Sequence, residues 1–146
     1  MRSIRSGLLA LAVIALPLAA CVVEDERSAT AQFTIWCQVN DGAGAPVNAQ
    51  YVAFESVKYT YGGEVDESSR ITLGEATTSQ NVAHPGSAAF EVGYTLHARD
   101  DEQEVAEFAC AVALPGGGDV QAAVEVDFSN VLMHPTIERE LHLQLP

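Results

Sequence analysis

Residues Phe90–Phe128 read FEVGYTLHARDDEQEVAEFACAVALPGGGDVQAAVEVDF, and apolar side chains fall on every second position through three successive runs. Phe90, Val92, Tyr94, Leu96 and Ala98 make the first run, and Ala106, Phe108, Cys110, Val112 and Leu114 the second. Val120, Ala122, Val124, Val126 and Phe128 make the third. A period of two puts these side chains on one face of an extended strand, because successive strand residues point to opposite sides. The joins, Asp100-Asp101-Glu102-Gln103 and Pro115-Gly116-Gly117-Gly118, are short and rich in turn formers, so neighbouring strands pair as hairpins. The stretch is predicted to be an antiparallel meander with one dry face and one wet one.

Upstream, Phe33, Ile35, Cys37 and Val39 share one face of a first strand, with Thr34, Trp36 and Gln38 on the other. Asp41 to Pro46 is a turn, supplied with glycines and closed by a proline. A second strand is expected from about Ala49 to Tyr61. Its apolar phase moves from Val52 and Phe54 to Val57, Tyr59 and Tyr61, an odd step that predicts a bulge near Glu55 and Ser56. Gly62 to Ser69 reads as a polar loop and Arg70 to Gly74 as a short strand. Downstream, Asn130 to Met133 is long enough for one helical turn, and Leu141, Leu143 and Leu145 mark a last strand.

Seven one-sided strands within residues 32–146 predict an all-β domain, an antiparallel β-sandwich of about seven strands of the immunoglobulin-like or transthyretin-like kind. A barrel is the alternative, since periodicity leaves strand order open. Trp36 directly precedes Cys37 and faces the other way, so the tryptophan that packs on the disulfide of true immunoglobulin domains is missing. The segment Val39 to Val52, with its Asp-Gly turn followed by Pro46-Val47, resembles the first hairpin of carboxypeptidase-regulatory-like and transthyretin-like domains. That resemblance implies a non-catalytic module and assigns no site.

The first twenty residues are of a different kind. Arg2 and Arg5 form a cationic start, Leu8 to Leu16 is almost unbroken apolar sequence, and Pro17 precedes Ala19 and Ala20. This is the pattern of a secretory signal peptide, too short to span a bilayer as a helix. Leu18-Ala19-Ala20-Cys21 resembles the lipobox of bacterial lipoproteins. The resemblance implies lipid on the Cys21 sulfur, cleavage before Cys21, and attachment to the membrane through that residue. Two or three acyl chains suffice for stable anchoring, where one does not. Val22 occupies the place at which an aspartate would resemble the inner-membrane retention signal, so outer-membrane residence is expected if the source is Gram-negative. Residues 21–31, polar after Val23, read as a tether of ~17 Å average span.

With Cys21 assigned to lipid, the odd cysteine count becomes even. Cys37 and Cys110, both on inward phases, are then expected to form a structural disulfide in an oxidising compartment. Two buried free thiols or a redox pair are the alternatives. The 73-residue separation sets an upper stabilisation of ~4.4 kcal/mol by loop entropy.

The chain carries 7 basic and 20 acidic residues, net −13, and without Arg2 and Arg5 the remainder stands at −15. Such a balance disfavours nucleic acid or any phosphate-lined partner. His84 and His134 each precede a proline in a loop, while His97 and His142 fall on outward strand phases. They read as surface histidines, with His97 and His142 the pair to check for proximity. The runs Glu64 to Glu67 and Asp100 to Glu102 lack the EF-hand spacing for calcium and read as solvated loop charge. No Gly-x-Ser-x-Gly or Ser-x-x-Lys motif is present. The expectation is a lipid-anchored cell-envelope lipoprotein, a binding or structural module without metal, cofactor or catalytic residues, whose partner is an envelope component. A small envelope hydrolase and a divalent-metal binder are the alternatives.

Overall fold

The computed structural model describes residues 25–60, 69–81 and 83–146. The leader, Cys21 and the acidic run Glu64 to Glu67 lie outside the described residues. The described residues are all-β, with strands β1 (Glu26–Asn40), β2 (Tyr51–Thr60), β3 (Ile71–Thr77), β4 (Ser79–Gln80), β5 (Pro85–Arg99), β6 (Glu102–Ala113), β7 (Asp119–Asp127) and β8 (Thr136–Gln144), and among them one short helix α1 (Phe128–Met133). Seven of these strands answer to the seven periodic runs. The eighth is the two-residue β4, below any sequence signal.

Two layers form. One contains β4, β5, β1 and β8, and the other β3, β2, β6 and β7. A two-residue turn at Asp100-Asp101 joins them, and only Ala98↔Gln103 and Arg99↔Glu102 pair across that corner before β5 and β6 diverge. Alternation then fills the space between the layers. Phe33, Ile35, Cys37 and Val39 of β1 meet Phe54 of β2 and Phe108, Cys110 and Val112 of β6 in one buried cluster. Ring centroids of Phe33 and Phe108 lie 4.7 Å apart, and those of Tyr94 and Phe108 5.2 Å apart. Asp127 caps α1 by accepting from the Asn130 N–H, and Phe128 and Val131 turn into the same core.

Four expectations need correction. The predicted three-strand meander is split, because β5 and β6 pair only through Ala98↔Gln103 and Arg99↔Glu102 and then belong to opposite layers, leaving β6 and β7 as the extended hairpin. The sandwich is mixed, because β8 pairs with β1 in parallel, from Gln32↔Thr136 to Asn40↔Gln144. The tether does not reach Ala31: Glu26–Ala31 is the first part of β1 and pairs from Glu26↔Arg99 to Ala31↔Tyr94. This segment has a linker's composition because the residues on its inward phase are Arg27, which is exposed, and two alanines, and they carry little hydrophobic signal. Arg27 nevertheless packs its guanidinium over the Phe128 ring at 5.6 Å.

The last correction concerns the bulge: the register breaks close to the expected level, between Phe54 and Glu55, but the extra residue belongs to β3. Between β2 and β6 the register is unbroken from Ala53↔Ala111 to Thr60↔Glu104. Against β3 it slips after Phe54↔Gly74, so that Glu55 faces Thr72 and Leu73 is the extra residue. Gly74 adopts a φ of +152°, and a Cβ there would stand 2.8 Å from Phe90 Cε2. The inward phase of β2 therefore continues through Ser56. Val57 and Tyr59 lie on the outer face, where Val57 is 1% exposed.

Candidate functional site

Cys37 on β1 and Cys110 on β6 form the expected disulfide, with Cα atoms 6.4 Å apart. It links the two layers near their centre, and neither residue reaches solvent. Cys21, the expected lipid acceptor, is outside the described residues.

The histidines are distributed differently from the sequence reading. His97 is opposite Ser28 on β5 and His142 is opposite Gln38 on β8, so ten residues of β1, roughly 33 Å, separate their levels. His134 follows α1, donating its backbone N–H to the Asn130 carbonyl. The histidines that do come together are His84 and His142, on either side of one carboxylate. His84 Nδ1 lies 4.0 Å from Glu140 Oε1, and His142 Nε2 lies 3.9 Å from the same oxygen.

Trp36 organises this cluster. Odd and even positions of β1 alternate across the layer, so the burial of Ile35 and Cys37 sends Trp36 outward. On the same outer face, β8 supplies Glu138, Glu140 and His142. The indole N–H donates to Glu138 Oε1 at 2.9 Å. Trp36 is paired with Ala89, a small neighbour on β5. The loop before β5 lays His84 flat on the indole, with ring centroids 4.0 Å apart and planes within 12°. Two contacts hold that loop in place. Gln38 Nε2 donates to the Pro85 carbonyl at 3.0 Å, and Gly86, at φ +66°, packs so tightly on the Asp41–Pro46 turn that a Cβ would fall 2.6 Å from Pro46 Cβ. The His84 ring is therefore held against the indole, yet its buried Nδ1 has no hydrogen-bond partner. The result is a fixed aromatic pair bordered by two carboxylates and a second imidazole, able to donate, accept and stack. Among the described residues no three His, Cys, Asp or Glu side chains converge as metal ligands. Ser87, near this cluster on β5, is buried.

At the opposite end, a cleft of about 160 Å³ is lined by Glu26, Thr60, His97, Arg99, Glu102 and Glu104. Glu104 accepts from the His97 backbone N–H at 2.8 Å and lies 3.8 Å from Lys58 Nζ. The Lys58 ammonium also donates to the Thr95 carbonyl at 2.8 Å and sits 5.0 Å above the Tyr94 ring. Tyr94 is buried and its hydroxyl accepts from Ser56 Oγ at 3.2 Å. Burial pushes the Tyr94 phenol above the ordinary value of 10.0, the Ser56 hydrogen bond opposes this, and Glu104 adds to it. On the outer face of the other layer, Tyr59 is pushed up in the same direction by burial, by its hydrogen bond to Glu125, and by the charges of Glu125 and Glu107.

The sequence pattern places Trp36 on the polar face of β1 and His142 on an outward phase of β8, but it does not show the stack with His84 or the Ser56–Tyr94 pair. The available signal was a lone tryptophan on an otherwise polar face. Comparison of the chain with family models, curated proteins and solved structures returned no match.

Proposed function

We propose that this chain is a lipid-anchored module of the bacterial cell envelope, attached through Cys21, that binds or braces an envelope component through the outer face around Trp36. The observation that carries this reading is the length of β1 between its start at Glu26 and Trp36. β1 begins at Glu26, five residues after Cys21, and brings Trp36 to a point roughly 33 Å further along the strand. A protein held at one end would thus present its stacked Trp36–His84 pair, with Glu138, Glu140 and His142, away from the membrane. The disulfide agrees with an oxidising compartment. Tryptophan, with its large area and single donor, is the residue type most often found at the energetic centre of a recognition surface.

The test is site-specific photocrosslinking in cells with a reactive residue in place of Thr34, an outward neighbour of Trp36. A discrete adduct that disappears on Trp36→Ala is expected, and the absence of any discrete adduct would remove this face as the recognition surface. The anchor is tested separately: Cys21→Ser should move the protein from the membrane to the soluble fraction, and continued membrane association would falsify lipid attachment.

A further inference from the structure

We propose that Leu132 and Met133 of α1 rest in the headgroup region of the bilayer to which Cys21 is attached, giving the domain a second, non-covalent contact with the membrane. The proposal depends on the lipoprotein reading above. Four large apolar side chains are exposed among the described residues: Tyr51, Ile71, Leu132 at 58% and Met133 at 68%. Only the last two are neighbours. They occupy the wet side of a helix whose other side, Phe128 and Val131, is fully committed to the core.

Their position singles out the bilayer as the occupant. The first residue of α1, Phe128, lies under the Arg27 guanidinium, one residue into β1. Just past its last, the Pro135 carbonyl accepts from the Gln32 N–H at 2.9 Å. Leu132 and Met133 therefore flank β1 between Arg27 and Gln32, within roughly 20 Å of Glu26 along the strand. Five residue steps from Cys21 to Glu26 reach at most about 18 Å. The tether and the offset are of similar length, so the domain can tip onto α1 without straining the chain. The tip of the β5–β6 hairpin lies at the same end but exposes Asp100, Asp101 and Glu102, carboxylates that are kept out of the apolar boundary and repelled by anionic lipid. The flank carrying α1 is thus the part of this end suited to contact.

Burying one such side chain favours the seated state only roughly tenfold. Two of them would not hold a free protein on a vesicle. The lipid makes the contact intramolecular, at an effective concentration in the millimolar range, where a modest preference is sufficient.

The experiment uses the full chain, matured in cells, with Met133→Cys as the single free thiol, labelled with an environment-sensitive fluorophore and reconstituted into phosphatidylethanolamine–phosphatidylcholine vesicles. Blue-shifted emission quenched by nitroxide-bearing lipid is expected. The same label at Tyr51→Cys, at the far end of β2, should stay aqueous. Adding Leu132→Glu should lower the ratio of seated to unseated protein by roughly tenfold or more. An aqueous label on a chain whose mass shows lipid on Cys21 would overturn the seat alone. Shielding that falls on dilution in detergent and is indifferent to lipid quencher would assign the patch to a second copy and overturn it as well. A chain without lipid on Cys21 would overturn both this proposal and the anchor.

Discussion

Cys37 and Cys110 are inward-facing residues of strands in opposite layers, so their bond connects parts of the chain that share no backbone hydrogen bonds. Oxidised protein should lose up to ~4.4 kcal/mol on Cys37→Ala, a fall of about 15 °C in Tm for a domain of this size. Reductant should bring the parent chain down to the same Tm and leave the variant unchanged, as differential scanning calorimetry would show. Ser56 makes the opposite point about single residues. It is polar, and the apparent phase of β2 assigned it no inward role. The structure buries it at 1% exposure because its hydroxyl finds the Tyr94 oxygen, and a buried polar atom with a partner is tolerable where one without is costly. Which hydroxyl meets which depends on a sequence separation of 38, and no local pattern records that.

Among the elements, those whose inward residues are large were legible and those with small ones were not. The runs ending in Ala98, Leu114 and Phe128 correspond to β5, β6 and β7, but only β6 and β7 pair along their length, since β5 turns into the other layer. The start of β1 carries no strand signal because Ala29 and Ala31 pack against the core without contrasting with their polar neighbours. The phase step in β2 comes from Val57 and Tyr59, apolar residues that lie on the outer face, whereas the extra residue of the bulge is Leu73 of β3. The loop before β5 shows the same limit at the candidate site. His84 and Trp36 are 48 positions apart and meet only because β5 returns antiparallel beside β1. His84→Ala should uncover the chain's single tryptophan, red-shifting its emission and raising its quenching by acrylamide, with little change in Tm. Unaltered quenching would show that the indole is shielded by something other than the imidazole.

For the whole molecule, the two perturbed phenols set an alkaline limit. Tyr59 and Tyr94 both hold their protons more tightly when folded than at the ordinary value of 10.0, so the unfolded chain releases protons first as pH rises. Their contribution is fully present below pH 10 and is lost progressively above it. Thermal melts should therefore show Tm falling between pH 10 and 12, and Tyr59→Phe should make that fall shallower. A flat profile across this range would contradict the burial assigned to both rings. The inter-layer disulfide has a further consequence, a mechanical one, if the domain hangs from Cys21. Tension entering at Glu26 acts along the axis of β1, which loads its backbone bonds to β5 and β8 in shear and does not unzip them one by one. Residues ahead of Cys37 can be drawn out, but extension stops where the covalent link passes the pull to β6. The anchor can therefore lengthen by no more than the sixteen steps between Cys21 and Cys37 before the sandwich is dragged as one body.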